Sequence, residues 1–273
     1  MKRTNAPTSV VVGIDGSHAA IQAAEWAIDE AISRDVPLRL VHVTHIPEAP
    51  NTPTDDFCLD IEYAETALRA AHRAVEATGK AVKVETAVVR GSPDEALIGE
   101  SRDAEMICVG SVGIGRFARV LLGSTAAKLA QGAYCPVAII RSQQDKPRSD
   151  TDWIAVVVND SPDSDSAVEQ AMEEAKLRGA PVLALGVWRW GLGEIPYDQL
   201  DRHLGKWVRQ YPGIHVQPVA ARSGAAEYLA TTDESVQLVV IGAEDAENVS
   251  SLVGPHSHPV FGHSECSVLV VRR

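Results

Sequence analysis

Residues 10–38 read VVVGIDGSHAAIQAAEWAIDEAISRDVPL, and residues 154–182 read IAVVVNDSPDSDSAVEQAMEEAKLRGAPV. Aligned without a gap, the two stretches share identical residues along their whole length. These identities include the pairs Ser17 and Ser161, Ala23 and Ala167, Glu25 and Glu169, Ala27 and Ala171, Glu30 and Glu174, Arg34 and Arg178, and Pro37 and Pro181. An internal repeat of this extent predicts two copies of one structural unit.

The ends of the two copies also resemble each other. MICVG at 106–110 resembles LVVIG at 238–242, and CPVAIIR at 135–141 resembles CSVLVVR at 266–272. Between the copies the chain is polar and lacks apolar periodicity, which is typical of a linker. The sequence therefore predicts a first domain at 1–142, a linker at 143–151 and a second domain at 152–273.

Within each copy, short apolar runs alternate with stretches of helical periodicity. The run 9–14 is continuously apolar, as expected for a strand buried on both faces. Apolar residues then recur at helical spacing over 18–34. In the same way the first copy predicts strands at 37–45, 82–89, 105–110 and 136–141. It predicts helices at 57–78 and 124–133, and a short helix that begins at Pro93 with Ser92 as its N-cap. This alternation predicts an α/β fold in which each half has a five-stranded parallel sheet with helices on both faces.

Charge and composition exclude several classes of function. The 273 residues carry a net charge of −12, and their 25 Lys and Arg residues are scattered, which disfavours a nucleic-acid-binding surface. No apolar run approaches the ~20 residues that span a bilayer, and the N-terminus does not resemble a signal peptide. The four cysteines contain no CxxC pair and do not form a disulfide framework, so we expect a cytoplasmic protein without a membrane span.

A glycine-rich loop carries the most specific chemical signal. Residues 107–126 read ICVGSVGIGRFARVLLGSTA. Gly113 and Gly115 permit close backbone approach, and the start of a helix at Ser124 favours an anion, phosphate above all. Arg116 adds a fixed positive charge. Asp15, just after the first strand, is expected at the same sheet edge, where open α/β sheets bind ligands. The alternative is that these glycines only turn the chain.

The spacing Gly110-x2-Gly113-x9-Gly123-Ser124 resembles the nucleotide-binding signature of the universal stress protein family. The opening VVVGIDGS and the segment CPVAIIR resemble the first and last strands of that family. The resemblance implies two tandem Rossmann-like domains, similar to adenine nucleotide alpha hydrolases, with ATP bound by the first. The residues that it implies for ATP binding are Gly13, Asp15, Val43, Gly110, Ser111, Val112, Gly113, Ile114, Gly115, Arg116, Gly123, Ser124 and Thr125.

The resemblance also implies a biological setting. Family members act in survival under stress or in growth arrest. They are commonly homodimers, and tandem forms also pair their two halves within one chain. The resemblance allows Mg²⁺ to bind together with the ATP phosphates. A protein partner is expected, but the sequence does not identify it.

Asp15 has two interpretations. It is either a polar contact to the nucleoside or an acidic metal ligand near the phosphates, and the first is favoured.

The second half departs from the glycine signature. Asn159 stands where the first half has Asp15, Asp245 stands where it has Gly113, and Pro255 stands at the helix start. A carboxylate would repel phosphate, and proline lacks the N–H that would face it. The sequence therefore predicts that the second half has lost nucleotide binding and serves as a packing partner.

Two other groups of residues give weaker signals of function. His256, His258, His263 and Cys266 lie close together and suggest a metal site, but Cys266 aligns with Cys135, which has no histidine nearby. A structural cysteine is the favoured interpretation. His42 and His45, on or just beyond the second strand, are expected to be packing or edge residues.

Two further classes of function compete with a nucleotide-dependent regulator. One is an enzyme of related architecture, with slow ATP hydrolysis or nucleotidyl transfer, although the motifs SGGxDS and HIGH are absent from this sequence. The other is an interaction module that binds no nucleotide, against which the intact loop of the first half argues. No catalytic residue and no metal ligand set is assigned.

Overall fold

The structure is a computed structural model that describes residues 8–44, 54–113, 122–141, 152–187, 197–221, 224–253 and 266–272. Its internal contacts divide the chain into two compact units, Met1–Ser142 and Gln143–Arg273. Each unit contains one copy of the sequence repeat. None of the helices in the described ranges is long and apolar enough to cross a bilayer.

The first unit alternates strands and helices throughout. Its elements are β1 (Ser9–Gly13), α1 (His18–Ser33), β2 (Leu38–Thr44), α2 (Thr54–Ala77), β3 (Val84–Arg90), α3 (Pro93–Glu100), β4 (Ala104–Gly110), α4 (Ser124–Gly132) and β5 (Val137–Ile140). The strands are parallel and lie in the order β3-β2-β1-β4-β5. The predicted α/β fold is confirmed, and the predicted segments differ from the observed ones by a few residues at their ends.

The second unit repeats this order with one addition. Its elements are β6 (Trp153–Val158), α5 (Ser164–Arg178), β7 (Val182–Gly186), α6 (Tyr197–Gln210), β8 (Val216–Ala220), α7 (Ala225–Thr231), β9 (Val236–Gly242), a 3-10 helix (Ala243–Asn248), α8 (Val249–Val253) and β10 (Ser267–Val271). Its parallel strands lie in the order β10-β9-β6-β7-β8. The 3-10 helix follows β9 at the place where the first unit has its glycine-rich loop.

The sequence identities in the repeat include a buried ion pair. Glu30 in α1 is fully buried and bonds Arg34 one turn later at 2.6 Å, and Glu174 in α5 pairs with Arg178 at 3.0 Å. A buried carboxylate is unfavourable unless a charged partner and hydrogen bonds satisfy it. The recurrence of both charges at the same helical spacing therefore reflects packing in each unit.

Short polar residues set the helix starts that face the carboxyl edge of the first sheet. Ser17 is the N-cap of α1, and its hydroxyl accepts a hydrogen bond from the Ala20 N–H at 3.2 Å. Ser92 occupies the N-cap position of α3 ahead of Pro93, as predicted, but its hydroxyl bonds the Asp94 carboxylate rather than a backbone N–H.

Candidate functional site

A cavity of about 320 Å³ lies at the carboxyl edge of the first sheet, where β1, β2 and β4 end. That volume falls at the small end of the ~300–1,000 Å³ range of ligand pockets. Nine residues that the sequence assigned to ATP line it: Gly13, Asp15, Val43, Gly110, Val112, Gly113, Gly123, Ser124 and Thr125. Ile114, Gly115 and Arg116 lie outside the described residues.

The first turn of α4 forms one wall of the cavity. Gly123 is the N-cap residue, and no side chain caps the helix at this end among the described residues. Ser124, Thr125 and Ala126 all line the cavity, and no acidic residue lies in the turn. The first N–H groups of a helix have no intrahelical acceptor and carry the positive end of the helix dipole. This wall can therefore bind an anion.

The sequence predicts that the N–H groups of Gly123, Ser124 and Thr125 point outward from the helix start. For Gly123 this is wrong, because its N–H donates to the carbonyl oxygen of Ser111 at 2.8 Å. Ser111 is 3% exposed and does not line the cavity, and its own N–H donates to the Ile140 carbonyl at 2.8 Å. Ser111 thus holds the start of α4 in place from behind the cavity wall.

Gly113 allows Asp15 to approach the loop backbone. A Cβ on Gly113 would lie 2.5 Å from Oδ2 of Asp15. The other carboxylate oxygen of Asp15 accepts a hydrogen bond from the Ser17 N–H at 2.9 Å, and its carbonyl oxygen accepts one from the Tyr63 hydroxyl at 3.0 Å. Among the lining residues that the structure describes, Asp15 is the one charged side chain. Its position is fixed by the turn between β1 and α1.

Gly110 has a packing role in addition to its place in the cavity wall. A Cβ on Gly110 would lie 2.8 Å from the carbonyl carbon and from Cβ of Ala19, and 3.0 Å from the Ala20 nitrogen. These atoms belong to the first turn of α1, whose backbone cannot move without disturbing its N-cap. The close contact between β4 and α1 therefore requires glycine at this position.

We expect Gly110→Ala to lower the free energy of unfolding by about 1–3 kcal/mol, since it overpacks a backbone contact. Gly99→Ala is the matched control, because a Cβ on Gly99 in α3 meets no atom within 4 Å. A glycine in a helix is destabilising relative to alanine, so the control variant should be as stable as the wild type or more so. Urea denaturation measures both; a Gly110→Ala protein of unchanged stability would contradict the packing role.

His42, which the sequence predicted to be a packing or edge residue, also lines the cavity. It lines the wall beside Val41 and Val43, is 7% exposed, and its Nδ1 has no hydrogen-bonding partner among the described atoms. Burial lowers the pKa of His42, although the nearby backbone of Ile14 and the charge of Asp15 act in the opposite direction. The ring packs edge-on against Tyr63 with the centroids 5.8 Å apart, which agrees with the packing role expected from the sequence.

Another part of the cavity lining is apolar. It includes Val41 of β2, Val109 of β4, and Pro93 and Leu97 of α3. Sequence reasoning did not assign the two α3 residues to the site, because the glycine pattern carries no information on how α3 packs. The cavity thus combines an anion-binding end at α4 with an apolar wall.

An ion pair links the two helices that flank the cavity. Lys128 of α4 bonds Asp94 in the first turn of α3, and Ser92 donates to the same carboxylate. The hydrogen bond from Lys128, followed by that from Ser92, lowers the pKa of Asp94 to about 2. Because the folded pKa lies below the unfolded one, the stability that this carboxylate contributes is present above about pH 4 and is lost as pH falls toward about 2.

Lys128→Met should therefore raise the pKa of Asp94 toward the ordinary aspartate value of about 3.9. An NMR titration of the side-chain carboxyl carbons measures this change. Lys80→Met, which removes the ion pair to Asp29 in the same domain, should leave the Asp94 pKa where it is. An Asp94 pKa that stays near 2 in the Lys128→Met protein would show that another group sets it.

The equivalent edge of the second unit is bridged by its own side chains. Nδ2 of Asn159 donates to Oδ2 of Asp245 at 2.8 Å, which joins the counterparts of Asp15 and Gly113. Oδ1 of Asn159 accepts from the Ser161 N–H at 3.0 Å, as Asp15 accepts from Ser17. A carboxylate thus stands where the first unit has a bare glycine. Pro255, the other predicted departure, lies outside the described residues.

The suggested metal cluster is described only at Cys266. That residue is fully buried, and its thiol donates to the Leu252 carbonyl oxygen at 3.4 Å. The three histidines of the cluster, and His45, lie outside the described residues.

The model of the universal stress protein family matches residues 8–141 and again residues 152–272. The chain belongs to the universal stress protein family. A similar relative is universal stress protein Rv2624c of Mycobacterium tuberculosis, which is 54% identical over 265 residues, covering 97% of this chain and 96% of the relative. Universal stress protein Rv2028c of the same organism is 39% identical over 274 residues, covering 99% and 98%.

Among solved structures, a universal stress protein from Archaeoglobus fulgidus shares the fold of this one. It aligns with a TM-score of 0.69 at 19% identity, covering 97% of this chain and 96% of that chain. Another universal stress protein, solved in complex with cAMP, covers 51% of this chain at 28% identity and a TM-score of 0.41. The ligand named there belongs to that protein.

Proposed function

We propose that this universal stress protein binds ATP in its first domain and acts as a nucleotide-dependent regulator of a stress or growth-arrest response. The observation that carries the proposal is the first turn of α4, which no side chain of the described residues caps and which lines a cavity at the carboxyl edge of a parallel sheet. In open α/β sheets, that edge is where ligands bind. Of the 13 residues assigned from the sequence, the 12 other than Ser111, which lies behind the cavity wall, remain the proposed ATP contacts.

The anion end of the cavity fits a polyphosphate. The N–H groups of Ser124, Thr125 and Ala126 belong to a turn without an acidic residue, so negative charge is favoured there despite the net charge of −12. Gly113 leaves the loop backbone without a side chain next to this turn. Mg²⁺, where it accompanies ATP, is carried by the phosphates.

The remaining wall fits an uncharged ring. Val41, Val109 and Leu97 offer apolar side chains to the faces of a nucleobase. A cavity that is apolar along one side and has a few placed polar groups is typical of small-molecule sites. The proposal concerns binding rather than turnover: the bound nucleotide shifts a conformational or partner equilibrium.

Mass spectrometry of the small molecules released from denatured, purified full-length protein tests the proposal. We expect adenine nucleotide in the released fraction, and a saturable calorimetric titration when ATP is added to protein stripped of ligand. A different small molecule in the released fraction, together with no heat on ATP addition, would contradict it.

Assembly and location belong to the same proposal. We propose domains at 1–142 and 152–273 joined by a linker at 143–151, a homodimer in which the two domains of each chain also pair, an unidentified protein partner, and a cytoplasmic location. Light scattering at micromolar concentration should then give about twice the chain mass of 29.2 kDa. A mass of one chain would contradict the dimer.

A further inference from the structure

The second unit has a cavity at the amino edge of its sheet, where β6, β7 and β8 begin and α5 and α6 end. The volume of this amino-edge cavity is about 920 Å³, within the ~300–1,000 Å³ range of ligand pockets. Three aromatic side chains line it, Trp153, Tyr211 and His215, and the rings of Trp153 and His215 lie with their centroids 5.7 Å apart. The Lys and Glu side chains in the lining are Glu173 and Lys176.

The electrostatics of the amino-edge cavity favour a positive charge. α5 and α6 both end at it, and the last carbonyl groups of a helix carry the negative end of its dipole. Oε1 of Glu173 accepts a hydrogen bond from the Tyr211 hydroxyl at 2.5 Å. Burial, followed by that hydrogen bond and the charges of Glu173 and Glu169, raises the pKa of Tyr211 to about 12. The charge of Lys176 acts in the opposite direction.

The first unit has a smaller cavity, of about 250 Å³, at the corresponding place. The repeat aligns α1 with α5, and β3 pairs with β2 in the register in which β8 pairs with β7. With this alignment, each of the eight residues that line the smaller cavity corresponds to a residue that lines the larger one. The two units can therefore be compared position by position.

The comparison shows that the first unit supplies its own cation. Asp29 corresponds to Glu173, and its two carboxylate oxygens accept hydrogen bonds from Nζ of Lys80 at 2.6 and 2.7 Å. Counted back from β3 and β8, Lys80 corresponds to Pro212, which has no charge. Among the residues that the structure describes, none forms an ion pair with Glu173. The second unit thus keeps the carboxylate without the ammonium group, in a larger cavity with aromatic side chains.

We infer that the amino-edge cavity of the second unit binds an alkylammonium group, with its charge beside Glu173 and its apolar stem against the aromatic side chains. A cation within about 6 Å of the centre of a Trp or Tyr ring is attracted by the face of that ring. The ligand is a free amine or the lysine side chain of another protein, since both carry this group. The inference goes beyond the proposed function and does not depend on ATP, because neither the unit nor the sheet edge is the one proposed for the nucleotide.

NMR of the full-length protein tests the inference with n-butylammonium, which has the structure of a lysine side chain, and with uncharged 1-butanol. The indole N–H signal of Trp153, assigned by its loss in Trp153→Phe, reports binding. The variants are Glu173→Gln, Lys176→Ala and Tyr211→Leu. Asp29→Asn is the matched control, because it changes the corresponding carboxylate of the first unit. Circular dichroism checks the folding of each variant.

We expect a saturable shift with n-butylammonium and none with 1-butanol at the same concentrations. Glu173→Gln should weaken binding about two- to fivefold, the effect of one ion pair that is open to solvent. Tyr211→Leu should weaken binding by a similar factor, because it removes a ring that attracts the cation. Lys176→Ala should strengthen binding, since it removes a like charge, and Asp29→Asn should bind as the wild type does.

Two further ligands distinguish the sources of the ammonium group. Spermidine represents a free amine, and an Ala-Lys-Ala peptide with blocked ends represents the lysine of another protein. Tighter binding of spermidine assigns the cavity to a free polyamine, and tighter binding of the peptide assigns it to a protein-borne lysine.

Several outcomes would overturn the inference. They are a wild type that does not bind n-butylammonium, equal binding of 1-butanol, and a Glu173→Gln protein that binds as tightly as the wild type. Stronger binding by Glu173→Gln together with weaker binding by Lys176→Ala would show that the cavity favours an anion. If Tyr211→Leu does not fold, the opposite effects expected of Glu173→Gln and Lys176→Ala, which change exposed side chains, decide. None of these outcomes bears on the proposed binding of ATP.

Discussion

Replacing Gly123 with aspartate is expected to abolish ATP binding while leaving the first domain folded. Gly123 has φ of −65°, and a Cβ there would meet its nearest neighbour, the Ser111 carbonyl oxygen, at 3.5 Å, so a side chain fits. Aspartate is a favoured N-cap residue, and its carboxylate accepts from the N–H groups of the first turn. The carboxylate of the new aspartate then caps α4 and occupies the site where the phosphates of ATP would bind.

The expected loss is at least a hundredfold in affinity. Two charge-assisted hydrogen bonds are displaced, each contributing about 1.5–3 kcal/mol, and every 1.4 kcal/mol is about tenfold. ATP at about 100 times the wild-type Kd should raise the free energy of unfolding of the wild type by about 2.7 kcal/mol and that of Gly123→Asp by no more than about 0.4 kcal/mol. Denaturant unfolding with and without ATP measures the difference.

Gly123→Ala is the matched control for this prediction. It adds the same Cβ without a carboxylate, so it should keep most of the stabilisation by ATP. Gly113→Val is a second test, because its side chain would collide with Asp15 and fill the cavity beside the loop. Equal stabilisation by ATP in wild type, Gly123→Asp and Gly113→Val would show that the nucleotide does not bind at this loop.

The second prediction is that each chain binds one ATP tightly rather than two. In the second domain the hydrogen bond from Asn159 to Asp245 spans the place where the first domain has Asp15 beside a bare Gly113. A phosphate would have to displace this bond and lie against a carboxylate. The second domain has Pro255 in place of an N–H donor at the helix start, and Asp245 in place of the glycine that lets a phosphate approach the backbone. These two losses should weaken ATP binding by roughly a hundredfold or more.

Equilibrium dialysis with labelled ATP on the full chain measures this stoichiometry. We expect one tight site in the wild type and none in Gly123→Asp, because that substitution removes only the site of the first domain. The full chain keeps both domains in their native setting. A Gly123→Asp protein that still binds one equivalent tightly would place that site in the second domain and contradict the interpretation of Asp245.

The architecture was predictable because it depends on patterns that are local in the chain. The apolar run that forms β1 and the helical spacing along α1 each specify one element, and the repeat at 154–182 specifies a second copy. The alternation of strands and helices then leaves a parallel sheet as the arrangement that buries both faces. Element ends were less well predicted, as in α2, which begins at Thr54 rather than near 57.

The candidate site was predictable at the glycine loop and, through the family resemblance, at Gly13, Asp15 and Val43. The glycine loop and the start of α4 are continuous in sequence, so their proximity to Asp15 followed from the sheet edge. Leu97 and His42 line the same cavity because α3 and β2 pack there, which no local pattern encodes.

Two details of the loop regions depended on contacts that the sequence does not show. The hydrogen bond from the Gly123 N–H to Ser111 removes a donor that the helix start was expected to offer. Gly110 was assigned to nucleotide binding, but the contact with Ala19 gives it a packing requirement of its own. The 3-10 helix Ala243–Asn248 was likewise not predicted; it carries Asp245, whose carboxylate accepts a hydrogen bond from Asn159 at 2.8 Å.

A crystal structure of the full-length protein grown with saturating ATP tests the central claim most directly. The account predicts a nucleotide in the first domain, with phosphate oxygens about 2.7–3.2 Å from the N–H groups of residues 124–126, and none against Asp245 in the second domain. A nucleotide bound at any other place, or a first-domain cavity without nucleotide at saturating ATP, would contradict it.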